Sequence, residues 1–144
     1  MSQLSTFRVG KYLFGVDVSL VQEVVRLQSI TPVPLASPEI AGLINLRGEV
    51  LTAIDLRARL GMPKSESNRD PVNVVIRVDN EPVSLLVDEI GGVLEVAQVP
   101  FEQTPSTVDE RVKDLLLGAY TLPDRLLLAL NAARVLDVVS DARV

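Results

Sequence analysis

The side chains of this sequence that could act as acids, bases or nucleophiles are carboxylates, hydroxyls and three lysines, because its 144 residues include neither histidine nor cysteine. The absence of histidine removes the commonest general base and the commonest metal ligand together. Zinc hydrolases, Ser-His-Asp hydrolases and histidine-ligated haem proteins are excluded. The absence of cysteine excludes disulfide scaffolds, thiolate metal sites and cysteine nucleophiles. Two carboxylates sharing a proton would need an Asp-Thr/Ser-Gly turn in each half of the chain, and no such triplet occurs. Gly91-Gly92 lacks the Lys-Ser/Thr that completes a phosphate loop. The densest acidic pair, Asp88-Glu89, is too sparse to hold a hard cation. The inventory therefore argues against an enzyme and calls for no cofactor or metal.

What remains is binding, and Arg47 is the most unusual residue for it. It sits between Leu46 and Gly48, at the end of an apolar run and just before a turn glycine. It could be a solvated turn residue or an internal partner for Glu23 or Glu49. It could equally present a guanidinium that forks onto a partner's carboxylate or carbonyl groups.

The elements around it read as short strands. Hydrophobic residues make up 47% of the chain, with 23 valines, only 3% aromatics and a formal charge of −5. That is enough apolar material for a core, and its β-branched character favours strands. No basic stripe is present of the kind that nucleic-acid binding requires. No apolar run reaches the ~18 residues of a membrane span. Residues 1–7 lack the pattern of a signal peptide, so the default expectation is a cytoplasmic chain with no membrane insertion, monomeric alone.

Hairpins are predicted around Gly10-Lys11, Gly48, residues 79–82 and Pro123-Asp124. Val18 to Val25 fits helix or strand. Gly91-Gly92 predicts a bulge or sharp bend in a Val-rich strand. Ser37-Pro38-Glu39 carries the signals of a helix start, which predicts a short helix over 38–41. Asp55 and Asn131 are predicted caps for short helices over 56–60 and 132–138. Residues 101–114 read as a polar loop, and residues 64–71 as a polar hinge.

The same plan occurs twice. Val21-Gln22-Glu23-Val24 matches Val87-Asp88-Glu89-Ile90, and Val33-Pro34 matches Val99-Pro100, at an offset of 66; Ala53-Ile54-Asp55 matches Ala129-Leu130-Asn131 at an offset of 76. Two small sheets, over about residues 7–62 and 72–139, are expected to curl and to share an apolar seam. A small-ligand or nucleic-acid-binding double barrel is the alternative to a protein-interaction module, and it would want a basic face or stacking aromatics.

With Val-x-Glu-Val at 21–24, Val33-Pro34, the run Gly42-Leu43-Ile44-Asn45-Leu46-Arg47-Gly48 and then Ile54-Asp55-Leu56, the sequence resembles the CheW family, the adaptors of bacterial chemosensory arrays. The resemblance implies a mainly β fold of two five-stranded Src-homology-3-like barrels packed side by side. It implies an adaptor that couples the cytoplasmic tip of a chemoreceptor to the regulatory domain of the histidine kinase CheA. It further implies that Val21, Glu23, Val24, Gly42, Asn45, Arg47 and Val74 occupy positions the family uses in receptor and kinase contacts. A groove between the barrels, lined by some of Val21, Val24, Val74 and neighbouring apolar residues, is the expected receptor surface.

Overall fold

In the computed structural model, residues 2–26, 29–65 and 70–143 are described, with side chains to 139. The strands, in chain order, are β1 (Gln3–Val9), β2 (Tyr12–Asp17), β3 (Val21–Val25), β4 (Ile40–Leu46), β5 (Glu49–Asp55), β6 (Val72–Val78), β7 (Glu81–Val87), β8 (Glu89–Glu95), β9 (Phe101–Glu102), β10 (Leu116–Thr121) and β11 (Leu126–Leu130). Three one-turn helices are interspersed: α1 (Leu56–Arg59), α2 (Glu110–Lys113) and α3 (Ala132–Val135). The strands form a six-stranded sheet, β8-β1-β2-β11-β10-β9, and a five-stranded sheet, β3-β6-β7-β5-β4.

The predicted caps form as expected. Asp55 accepts from the amide of Ala58 to start α1, and Asn131 accepts from the amide of Arg134 to start α3. Each satisfies one of the amides that a helix start leaves without an internal partner. The bulge at Gly91-Gly92 is also present. These two residues lie opposite the single Thr6 of β1, whose hydroxyl donates to the Gly92 carbonyl at 2.5 Å.

Several expectations need correction. Ser37-Pro38-Glu39 is a turn and not a helix: the Ile40 amide donates to the Ser37 carbonyl, and β4 begins at once because Ile40 pairs with Ile54. The predicted loop over 101–114 contains β9 and α2, the latter anchored by the buried Val112. Part of the predicted hinge, residues 66–69, lies outside the described residues.

The larger correction concerns the two halves. They do not form one sheet each. The hairpin β1–β2 pairs with β8 and, in parallel, with β11; the hairpin β6–β7 pairs with β3 and, in parallel, with β5. Each sheet thus combines the leading hairpin of one half with the later strands of the other. The duplication itself is visible in the pairing. Val21 pairs with Ile76 as Ile90 pairs with Phe7, so 69 residues separate both equivalent pairs. The third strand of each half is therefore matched at 69, and not at the 66 suggested by the Val-x-Glu motif. Strands β4 and β5 match β10 and β11 at 76, down to a bulge after Ile40 and after Leu116.

Alternation along the strands builds three apolar clusters. Phe7, Val9, Phe14 and Leu128 from one sheet meet Ile54, Val74, Ile76 and Leu85 from the other in a shared seam, joined by Leu56, Val112 and Val135 of the helices. Leu4, Leu13 and Leu127 fill the concave side of the six-stranded sheet, and Ile44, Leu51 and Val75 that of the five-stranded sheet. Neighbours such as Val74 and Val75, or Leu127 and Leu128, point to opposite sides, yet both are buried. This is why the strands carry unbroken apolar runs instead of strict alternation.

Candidate protein-interaction site

The two edge strands of the five-stranded sheet, β3 and β4, come together as that sheet curls. A single bridge, Thr31 to Leu43, ties the chain beyond β3 to β4. At the open end, the guanidinium of Arg47 clasps the carboxylate of Glu23. One nitrogen, Nη1, donates to Oε1 at 2.6 Å and to Oε2 at 2.7 Å.

Arg47 is held there by its backbone. Arg47 and Gly48 form a two-residue turn between β4 and β5, with φ of 53° and 86°. Positive φ at both central positions defines the hairpin turn whose twist matches the flanking strands. Glycine takes it freely, whereas arginine in the first position departs from its preferred backbone region. Asn45 secures the turn, its Oδ1 accepting from the Gly48 amide at 3.0 Å. The result is a long cation projected from a stiff tip, with 70% of its side chain exposed. Among the described residues its Nε and second terminal nitrogen have no acceptor. The internal pairing with Glu23 is thus realised, and it engages only one of the three guanidinium nitrogens among the described residues.

Val24 in β3 and Val50 in β5 are two of the exposed apolar residues of this sheet. Arg77, in β6, donates to Gln22 at 3.0 Å and approaches Glu49 at 4.0 Å, extending the charged rim. Val21 is half-buried and packs against the seam, so it belongs partly to the core.

Two predicted contact residues are corrected. Val74 is fully buried at the centre of the seam and cannot line a groove. Its strand is covered on both faces, a condition that an apolar run alone does not distinguish from one exposed face. Gly42 is also buried. Its φ is +148°, and a side chain there would meet the Thr31 carbonyl and the Ile30 methyl. It serves the bulge and the Thr31 bridge.

Sequence reasoning missed a second polar cluster. Asp88 stands between β7 and β8, where the chain crosses from one sheet to the other. It accepts from Arg57 of α1, Nε to Oδ1 at 3.0 Å and Nη2 to Oδ2 at 2.7 Å, and from the Gly10 amide at 2.8 Å. Burial alone would raise the Asp88 carboxyl, but these donors outweigh it and hold the group below its ordinary value. The hydrogen bond to Asp88 raises Arg57 in turn. A cleft of about 510 Å3 lies beside this pair, between Leu86 and Pro71. Asn73 is the other residue missed: wholly buried, it accepts from Ser84 at 2.8 Å and donates to the Arg26 carbonyl at 3.2 Å.

Among the described residues no group of three or more acids could hold a metal ion, and no helix is long and apolar enough to cross a membrane.

Comparisons with known proteins agree with this architecture. The model of the CheW-like domain matches residues 3–140. The chain is 34% identical over 125 residues to the chemotaxis protein CheW of Rhizobium meliloti, covering 87% of this chain and 81% of that one. It is 31% identical over 135 residues to the chemotaxis protein CheW of Bacillus subtilis, covering 94% and 86%. The crystal structure of scaffolding protein TtCheW from Thermoanaerobacter tengcongensis superposes with a TM-score of 0.78 at 27% identity, over 90% of this chain and 88% of that one. The two curled sheets sharing one seam are the paired Src-homology-3-like units of that fold, and the chain belongs to the CheW-like domain family.

Proposed function

We propose that this chain is a chemotaxis coupling adaptor, a scaffold without catalytic activity of its own. In this reading it joins the cytoplasmic tip of a chemoreceptor to the regulatory domain of the histidine kinase CheA, and it works on the cytoplasmic face of the membrane. Kinship with chemotaxis proteins and with a scaffolding protein supports the role. The observation that carries the site is the Arg47–Glu23 clasp at the open end of the five-stranded sheet. Its unused donors project from a stiff turn with most of the side chain exposed. Arginine is among the residues enriched at interface hot spots, and an exposed one on a rigid turn can reach a partner with little ordering cost. Asn45 and Val21 support this surface, the first by fixing the turn and the second from below. The comparisons give no support to the alternative of a nucleic-acid-binding double barrel.

Two substitutions test the surface. Arg47→Ala is expected to change stability by less than about 1 kcal/mol, as for other exposed ion pairs. In a ternary pulldown with receptor tip and kinase it should cost about tenfold or more in apparent affinity, from losing charge-assisted hydrogen bonds. Val24→Asp places a charge where an apolar contact is expected. It should weaken receptor capture while the melting temperature stays within a few degrees of the parent. Normal capture by both variants would remove this face from the adaptor role.

A further inference from the structure

The opposite sheet carries a second site at the matching end of its own hairpin. A cleft of about 330 Å3 is lined by Arg8, Lys11 and Arg125, with Tyr12, Thr107 and the apolar floor of Leu13 and Leu128. No carboxylate lines it, although the chain as a whole carries a net charge of −5. None of the three cations has an ion-pair partner among the described residues; Lys11 lies over the Tyr12 ring, 5.2 Å from its centroid. The Tyr12 hydroxyl is buried without a hydrogen-bond partner.

The duplication supplies an internal control. By the offsets of 69 and 76, Arg8, Lys11 and Arg125 correspond to Arg77, Asn80 and Glu49 in the other sheet. There the charges cancel, and Arg77 approaches Glu49 at 4.0 Å and donates to the Asn80 carbonyl. The fold therefore does not require three unpaired cations at this end. Holding them together without a counter-charge is unfavourable, and a bound anion would reverse that.

We propose that this cleft binds a phosphate group. Two guanidiniums and an ammonium supply the charge for a dianion, and guanidinium geometry suits the bidentate recognition of phosphate oxygens. The hydroxyl of Thr107 adds a neutral donor, and the volume falls in the range of small-ligand clefts. The group could come as free inorganic phosphate or on a small monoester.

The test is a titration of the full chain, followed by amide chemical shifts, with inorganic phosphate, with glycerol 3-phosphate and with chloride at matched ionic strength. Saturable shifts centred on residues 8–13 and 125–128, absent with chloride, are expected. Tighter binding of the ester than of inorganic phosphate would identify a monoester as the natural source, and the reverse would favour the free ion. Arg125→Glu installs the residue that the other half already carries at this place, so the fold should survive. It should weaken phosphate binding about tenfold or more, the cost of losing a charged hydrogen-bond partner. Shifts that fail to saturate, that chloride reproduces, or that persist at parental affinity in folded Arg125→Glu would overturn the proposal.

Discussion

A chain carrying Gly42→Ala should lose about 3 kcal/mol or more of folding stability, read as a fall in the urea midpoint with unchanged slope. Two costs combine. At φ +148° a side chain is strained whatever the space around it, a penalty on the order of 1–3 kcal/mol. The added carbon would also run into the Thr31 carbonyl, which is backbone and cannot rotate aside. Relief would require Thr31 to retreat. That would break its paired hydrogen bonds with Leu43, both 2.8 Å, and open the sheet at its only described tie between β3's continuation and β4. The duplicate glycine makes the same point. Gly118 lies 76 residues on, at φ +158°, and a side chain there would meet Phe101 and the Glu102 carbonyl of β9. If Gly42→Ala instead folds with parental stability and fails only to bind partners, the residue belongs to the interface after all.

Asp88→Ala should cost about 1–2 kcal/mol. The group accepts three hydrogen bonds, two of them from a guanidinium. Bonds to charged groups contribute about 1.5–3 kcal/mol each when buried, but the carboxylate is 31% exposed and solvent screening reduces that. The loss is amplified because Arg57, only 19% exposed, keeps its charge and loses its partner. The pH dependence has a definite sign. The folded carboxyl lies below its ordinary 3.8, so its contribution is complete above that value. It fades as pH falls through 3.8 and further toward the folded value. Parent and variant should therefore converge in stability in strong acid and diverge near neutrality. A constant gap from pH 2 to pH 7 in urea titrations would mean that Asp88 acts through packing and not through its charge.

Legibility followed the range of the interaction. The caps Asp55 and Asn131 each act on an amide three residues away, so the sequence pattern was sufficient. The hairpins were equally local. Which hairpin joins which sheet was not legible, because contiguous and exchanged halves satisfy the same order of strands, caps and turns. The Val-x-Glu repeat is three residues out because Val21–Val24 lies within β3, whereas Val87–Ile90 spans the end of β7, the crossing at Asp88 and the start of β8. Val74 was misread for a related reason: seam strands are buried on both faces. The role of Gly42 had a readable signal, a second glycine at the same offset as the Asp55–Asn131 match. Asp88 had none, since its partners Gly10 and Arg57 are distant in sequence. The place of Arg47 before a turn glycine is local and legible, and its pairing with Glu23 is one of the readings that the sequence leaves open.

The exchange of hairpins has a consequence for how the chain acquires its shape during synthesis. β1 and β2 emerge from the ribosome first, yet their sheet partners are β8 and β11, and Gly15 pairs with Ala129 near the other end of the chain. The first hairpin must wait, with Phe7 and Phe14 uncovered, until almost the last strand is made. Pairings this distant fold slowly and leave apolar strands open to off-pathway association in the interval. The five-stranded sheet, whose strands all lie between Val21 and Val87, can close earlier and offer the waiting hairpin a surface. Nascent chains arrested just after β7 has cleared the exit tunnel should already protect β3–β7 from protease, while β1–β2 become resistant only once β11 has left the tunnel.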